Sequence, residues 1–172
     1  MKKIIVGLLF CLPIISNAQF KKAELKAAGL TCSMCSRAVD KQLQSLNFVD
    51  SVRVNLEEAI FTIYFNPNQI VAINDIKKKV EDAGFSVSSL KVFYQFTNQK
   101  VDENYHLNYH EMLFHFINDK PQILDGIIAF QIIGKGFLAD KAWRKLESKI
   151  KKHIHPNAEN STEIKTVFHA LL

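Results

Sequence analysis

Cysteine is scarce in this 172-residue chain: there are three, at positions 11, 32 and 35. Cys11 lies in an N-terminal apolar stretch, so only Cys32 and Cys35 remain if that stretch is a leader. A network of disulfides is thereby excluded. The longest uncharged apolar run is also too short to span a bilayer, which takes about 20 residues. No dense basic stripe is interleaved with aromatics, and Lys77-Lys78-Lys79 is the longest basic run. That run reads as the solvated face of a helix, so nothing points to nucleic acid. Gly134-Lys135-Gly136 is too short for a phosphate-binding loop and reads as a turn.

The first 18 residues, MKKIIVGLLFCLPIISNA, carry Lys2 and Lys3, then Ile4 to Ile15, then Ser16-Asn17-Ala18. A positive start, an apolar middle and a small-residue end make a cleavable export signal, with the cut expected after Ala18. A lipoprotein reading through Cys11 fits poorly, because Phe10 is bulky before it and the apolar run continues after it. Removing the leader takes the formal charge from +5 to +3, with 20 basic residues facing 17 acidic ones. The mature protein is expected to be periplasmic or secreted, with no stable membrane insertion.

The next stretch has a regular rhythm. Ala23 to Leu30 reads as a strand. Ala38, Val39, Leu43 and Leu46 follow at helical spacing, and Asn47 ends them. Val52, Val54 and Leu56 alternate, Glu57-Glu58 turns, and Phe61, Ile63 and Phe65 alternate again before Asn66-Pro67-Asn68. Ile73, Ile76, Val80 and Ala83 return to helical spacing, with Gly84 placed to end the helix. Phe85 to Val92 reads as a last strand. The order β-α-β-β-α-β predicts an α+β fold, the ferredoxin-like split βαβ, over residues 19–92.

Cys32 then falls in the loop after the first strand and Cys35 in the first helical turn. Free N–H groups and the positive end of the helix dipole lower thiol pKa values there. Thiolates bind soft metal ions, and two from one loop can hold Cu(I) linearly. Thr31 and Ser33 are placed to cap the helix or to hydrogen-bond near the sulfurs. A thiol–disulfide exchange pair would also sit at a helix start. That chemistry usually comes with a longer α/β chain and an aromatic before the first cysteine, where this chain has Thr31. A structural disulfide is the third possibility.

The stretch GLTCSMCSRAV resembles the Gly-Met-Thr-Cys-x-x-Cys signature of heavy-metal-associated (HMA) domains, the soft-metal modules of copper chaperones, copper-transporting ATPases and periplasmic mercury-binding proteins. SVRVNLEEAIFTIYFNP is similar to the family's second and third strands, and INDIKKKVEDAGF to its second helix, so the resemblance covers residues 22–91. It implies that Cys32 and Cys35 are the metal ligands, with Cu(I) as the cargo and Hg(II) or Zn(II) as alternatives. It also implies a partner, a metal-transporting membrane protein. Leu30 stands where the family usually has Met, a similar volume. Phe85 stands at the aromatic or lysine position over the metal loop.

The remaining half, residues 93–172, is set off by the polar stretch TNQKVDEN (97–104). YHLNYHEMLFHFIN (105–118) reads as one long strand and ILDGIIAFQII (123–133) as a central one. Ala139, Ala142, Trp143, Leu146 and Ile150 mark an amphipathic helix through about Lys152, with Trp143 in the core. IKTVFHALL reads as a terminal strand or helix. A small α+β domain is expected, either a partial barrel or a second split sheet. All six histidines lie here. On one long strand His106, His110 and Met112 share a face and His115 points away. His106 and His110 would then stand about 13 Å apart at ~3.3 Å per residue, too far to share an ion. Asp125 and Gln131 are the polar neighbours on offer. His153 and His155 read as a solvated helix end and Met34 as exposed.

The sequence thus predicts an exported, non-enzymatic protein that carries or buffers a soft metal ion. A periplasmic thiol–disulfide oxidoreductase, or an interaction module with a residual metal site, is the alternative.

Overall fold

The computed structural model describes residues 19–102, 105–117, 120–150 and 166–172. The chain begins with strand β1 (Phe20–Ala28), helix α1 (Ser33–Gln44), strands β2 (Val49–Asn55) and β3 (Ile60–Phe65), helix α2 (Ile73–Asp82) and strand β4 (Ser86–Val101). This is the expected βαββαβ order. Its strands lie β2-β3-β1-β4, and all the pairings are antiparallel. Val39 and Leu43 of α1 and Ile73, Ile76 and Val80 of α2 bury against Leu25, Phe61, Ile63 and Leu90. Gly84, at φ 86°, takes the left-handed position that ends α2.

Local polar groups set the turns. Asn55 Oδ1 accepts from the backbone N–H groups of Glu57 and Glu58, which closes the β2–β3 hairpin. Asn66 Oδ1 accepts from Asn68 N–H and stops β3.

The strand expected to end at Val92 does not end there. β4 runs for 16 residues, straight through the polar stretch that the sequence set between the two halves. That stretch is a bulge within the strand. The register with its neighbour β7 (Gln122–Ile133) shifts between Phe96 and Gln99, and Asn98 sits at φ 43°. Asp125 Oδ1 accepts from Asn98 N–H. An extra residue at the bulge moves the buried side of β4 from Phe96 to Val101 and leaves Thr97 and Asn98 exposed. The polarity of TNQ thus marks a kink in a strand, not a linker.

β4 would be a bare edge if the sheet stopped there, with unpaired backbone groups open to other chains. β7 covers it instead. Beyond β7 lie β8 (Thr166–Leu171), β6 (Met112–Phe116) and β5 (His106–Tyr109), giving one eight-stranded sheet in the order β2-β3-β1-β4-β7-β8-β6-β5. Among the described strands, only β6 and β8 pair in parallel. Helix α3 (Asp140–Ile150) leads from β7 towards β8. The described part of IKTVFHALL, Thr166–Leu171, is a strand, and Trp143 is half-buried on α3 rather than in the core.

The far strands curl back over β1. β1 and β5 are five strand positions apart, about 24 Å in a flat sheet at ~4.8 Å per strand. Yet the rings of Phe20 on β1 and Tyr109 on β5 have centroids 4.7 Å apart. Phe20 also meets Tyr94 on β4, Phe114 on β6 and Phe130 on β7. The curl encloses a shared interior. Its interior is aromatic because Phe and Tyr fill a wide space with few torsions to freeze. Tyr109 also accepts a hydrogen bond at its hydroxyl from Val71 N–H, 3.3 Å away, just before α2. Burial pushes its phenol pKa up. Lys77 of α2 reaches the other way, with Nζ 5.4 Å from the Phe137 ring centroid. Of the expected solvated lysine run, only Lys78 is fully exposed, paired to Asp82.

Candidate metal centre

β1 ends at Ala28 because Gly29 turns the chain at φ 84°. Leu30 follows, partly buried against the core as expected of a residue behind the loop. Thr31, Cys32, Ser33 and Met34 are then exposed, and Met34 is 70 % exposed. α1 begins at Ser33, and its N-cap is Cys32 itself, in extended conformation at φ −151°. Cys32 Sγ accepts from Cys35 N–H at 3.3 Å. The capping expected of Thr31 or Ser33 is thus supplied by a ligand candidate. Spacing alone hides this, because sulfur is an unusual cap.

The two sulfurs face each other 2.6 Å apart, Cys32 in the exposed loop and Cys35 half-buried in the first turn. Hydrogen bonding to Cys32 Sγ holds the Cys35 thiol below its ordinary value. Partial burial opposes this, and hydrogen bonds from Thr31 and from the Cys32 backbone assist it. Thr31 therefore takes the second of its two expected roles, bonding near a sulfur. A thiol of this kind is a thiolate over a wider pH range and so a readier metal ligand. The ring of Phe85 lies beside Gly29, where the loop begins. Its Cδ1 lies 3.8 Å from where a Cβ on Gly29 would stand. Phe85 itself brings no charge there.

One consequence is directly measurable. Because the bond to Cys32 is the largest cause of the lowering, Cys32→Ala should raise the Cys35 pKa. The pH profile of Cys35 alkylation should move up accordingly. An unmoved profile would mean that the helix end alone sets the thiol.

A heavy-metal-associated domain model matches residues 24–86, inside the 22–91 read from the sequence. The copper chaperone CopZ of Staphylococcus epidermidis is 33 % identical over 63 residues, which cover 37 % of this chain and 91 % of that one. The chain belongs to the heavy-metal-associated domain family. The copper-transporting ATPase RAN1 of Arabidopsis thaliana is 36 % identical over 70 residues, 41 % of this chain. The chain spans 7 % of RAN1 and 10 % of a copper-exporting ATPase of Staphylococcus saprophyticus. Among solved structures, oxidised MerP of Ralstonia metallidurans is 26 % identical, covering 41 % of this chain and 96 % of that one at a TM-score of 0.37. The HMA domain thus accounts for β1 to the start of β4, and the curled part of the sheet lies outside the match.

The histidines fall differently from expectation. Residues 105–118 are not one strand. β5 and β6 form a hairpin whose two-residue turn is His110-Glu111, with Tyr109 opposite Met112. His110, at φ 51°, takes a left-handed conformation usually given to Gly or Asn, so the sequence shows no turn signal there. His106 lies opposite His115 across the hairpin, and His115 lies opposite His169 on β8. The expected grouping of His106, His110 and Met112 is therefore broken. His110 and Met112 instead line a cavity of about 440 Å³ with Ile70, Asp75 and Thr166. Asp125 is held at the β4 bulge, and Gln131 bonds Leu90 O and Ser89 Oγ. His153 and His155 lie outside the described residues.

Proposed function

We propose that the protein is an exported soft-metal carrier or buffer that holds one Cu(I) between the thiolates of Cys32 and Cys35. The observation that carries this is the pair itself: two facing sulfurs at an exposed helix start, one of them with a lowered pKa, in a chain of the HMA family. The relatives named for copper chaperoning and copper transport favour Cu(I) over Zn(II) and Hg(II).

The geometry suggests how loading proceeds. Metal–thiolate bonds of ~2.3 Å set in line would put the sulfurs about 4.6 Å apart. The present 2.6 Å must therefore widen by about 2 Å. Cys35 is fixed by the helix and half-buried, so Cys32, on the exposed loop, makes the movement. An incoming thiolate from a donor or acceptor then replaces one of the two through a shared three-coordinate state. The partner we propose is a metal-transporting membrane protein. In an oxidising compartment the pair can close as a disulfide, and loading then requires a reductant. No catalytic turnover is part of this reading.

The test is metal analysis of reduced residues 19–172 under competition between Cu(I), Zn(II) and Hg(II). One Cu(I) per chain, retained against Zn(II), is expected. Preferential Zn(II) retention would overturn the assignment of cargo. Rapid catalytic reduction of protein disulfides would favour the oxidoreductase reading. Export is tested separately: protein from a bacterial host should begin at Gln19, and a retained leader would sink the proposed location.

A further inference from the structure

The hairpin that undoes the expected histidine grouping creates another. β5, β6 and β8 are neighbours, and their registers place His106, His115 and His169 in one row across the three strands. The row lies on the face turned away from the aromatic interior. Phe114 and Phe116 of β6 and Phe168 and Ala170 of β8 belong to that interior, so the residues between them point the other way. His115 is only 7 % exposed there, one of two buried polar residues among those described. Leu113 and Ile133, beside it on the same face, are buried as well.

The ring nitrogens are placed for more than packing. His115 Nδ1 and His169 Nδ1 are 3.4 Å apart, with the ring planes at 70°. Two imidazole ligands on one tetrahedral ion, with bonds of 2.0–2.1 Å, have nitrogens about 3.3 Å apart. The pair therefore stands at the bite distance of a metal ion before any ion arrives. The His106 ring stacks on that of His115 with centroids 4.8 Å apart and planes within 15°. His106 is exposed, so its ring is free to turn about its side-chain torsions. Among the described residues no three potential ligands already converge, so loading requires that turn.

We propose that His115 and His169 form a second metal site, for an imidazole-preferring divalent transition-metal ion, with His106 swinging in as the third ligand. Imidazole nitrogens suit Zn(II), Cu(II) and Ni(II), whereas the dithiolate suits a soft monovalent ion. The two sites would then differ in the ions they select. Without metal, one Nδ1–H donates to the other Nδ1. Metal binding requires the donor ring to change tautomer: its proton leaves Nδ1 and one is taken up at Nε2, so both Nδ1 lone pairs meet the ion with both rings neutral and no net proton released. Shielding by Leu113 and Ile133 limits competition from water.

The experiment uses residues 19–172 with Cys32→Ser and Cys35→Ser, so that the thiolates are silent and the outcome is independent of the Cu(I) reading. Zn(II) and Cu(II) are titrated in turn. One equivalent should bind, raise the Tm, and with Zn(II) shift the Nδ1 resonances of His115 and His169. His169→Gln in the same background should weaken binding by about tenfold or more. His110→Ala, altered in the turn, should leave it unchanged. The proposal is overturned if neither ion binds stoichiometrically, or if His169→Gln binds as its parent does. Should His169→Gln fail to fold, the resonances of the unaltered histidines decide: Nδ1 signals that do not move on Zn(II) addition also overturn it.

Discussion

Replacing either Cys32 or Cys35 by serine is expected to weaken Cu(I) binding by about a thousandfold or more, on the order of 4 kcal/mol. The size follows from the chemistry of the ligands. A thiolate is a soft anion and matches Cu(I), whereas a serine hydroxyl stays protonated at neutral pH and offers a hard oxygen. Two-coordinate binding also leaves no spare ligand to share the loss. The two substitutions should differ in their side effects. Cys32 caps α1, so Cys32→Ser keeps a capping oxygen and the helix start. Cys35→Ser removes the half-buried sulfur and leaves the cap intact. Met34→Leu should bind Cu(I) as the parent does, because an exposed thioether is not needed once two thiolates are present. Competition against a Cu(I) chelator reads all three. Parental affinity in either cysteine variant would place the site elsewhere, and a large loss in Met34→Leu would add a third sulfur to it.

How much of this was legible in the sequence depended on the kind of signal. β1 to α2 were readable because their apolar residues repeat at the period of a strand or a helix. Turns such as Asn55 to Glu58 also carry the polar residues that such turns require. The cysteine pair was readable because its spacing and its place before a helix are both local. Two later misreadings share one physical cause: a left-handed backbone where no glycine marks it. Asn98 bulges β4 and made a continuing strand look like a linker. His110 turns the chain where a glycine would have signalled it, and so hid the β5–β6 hairpin. The row of histidines was then out of reach, since it depends on two registers, one of them a parallel pairing between strands far apart in sequence. Nothing local specifies β6 beside β8. What selects it is the burial of Phe114 against Phe168, whose rings stack with centroids 5.2 Å apart.

The same aromatic interior leads to the largest effect expected on stability. Phe130 is 1 % exposed, and its ring meets those of Phe20, Phe96, Phe114 and Phe116. Phe130→Ala should cost about 3–5 kcal/mol, through lost burial and the cavity left behind. The consequence for cooperativity is more telling than the size. Phe20 belongs to β1, at the centre of the HMA sheet, while Phe114 and Phe116 belong to the hairpin at the far end. β4 is paired on both sides, to β1 along its first part and to β7 along its second. A cavity at Phe130 therefore loosens contacts on both sides of residue 92 at once. Denaturant unfolding followed by Trp143 fluorescence and by reactivity of the Cys32–Cys35 pair should give coincident transitions, both moved to lower denaturant in Phe130→Ala. Two independent domains would behave otherwise: the fluorescence transition would move and the cysteine transition would stay. That split would show that the continuous sheet does not couple the metal loop to the curled half. Coincidence would make the C-terminal strands part of what holds the cysteine loop in place, through the edge of β4 that they cover.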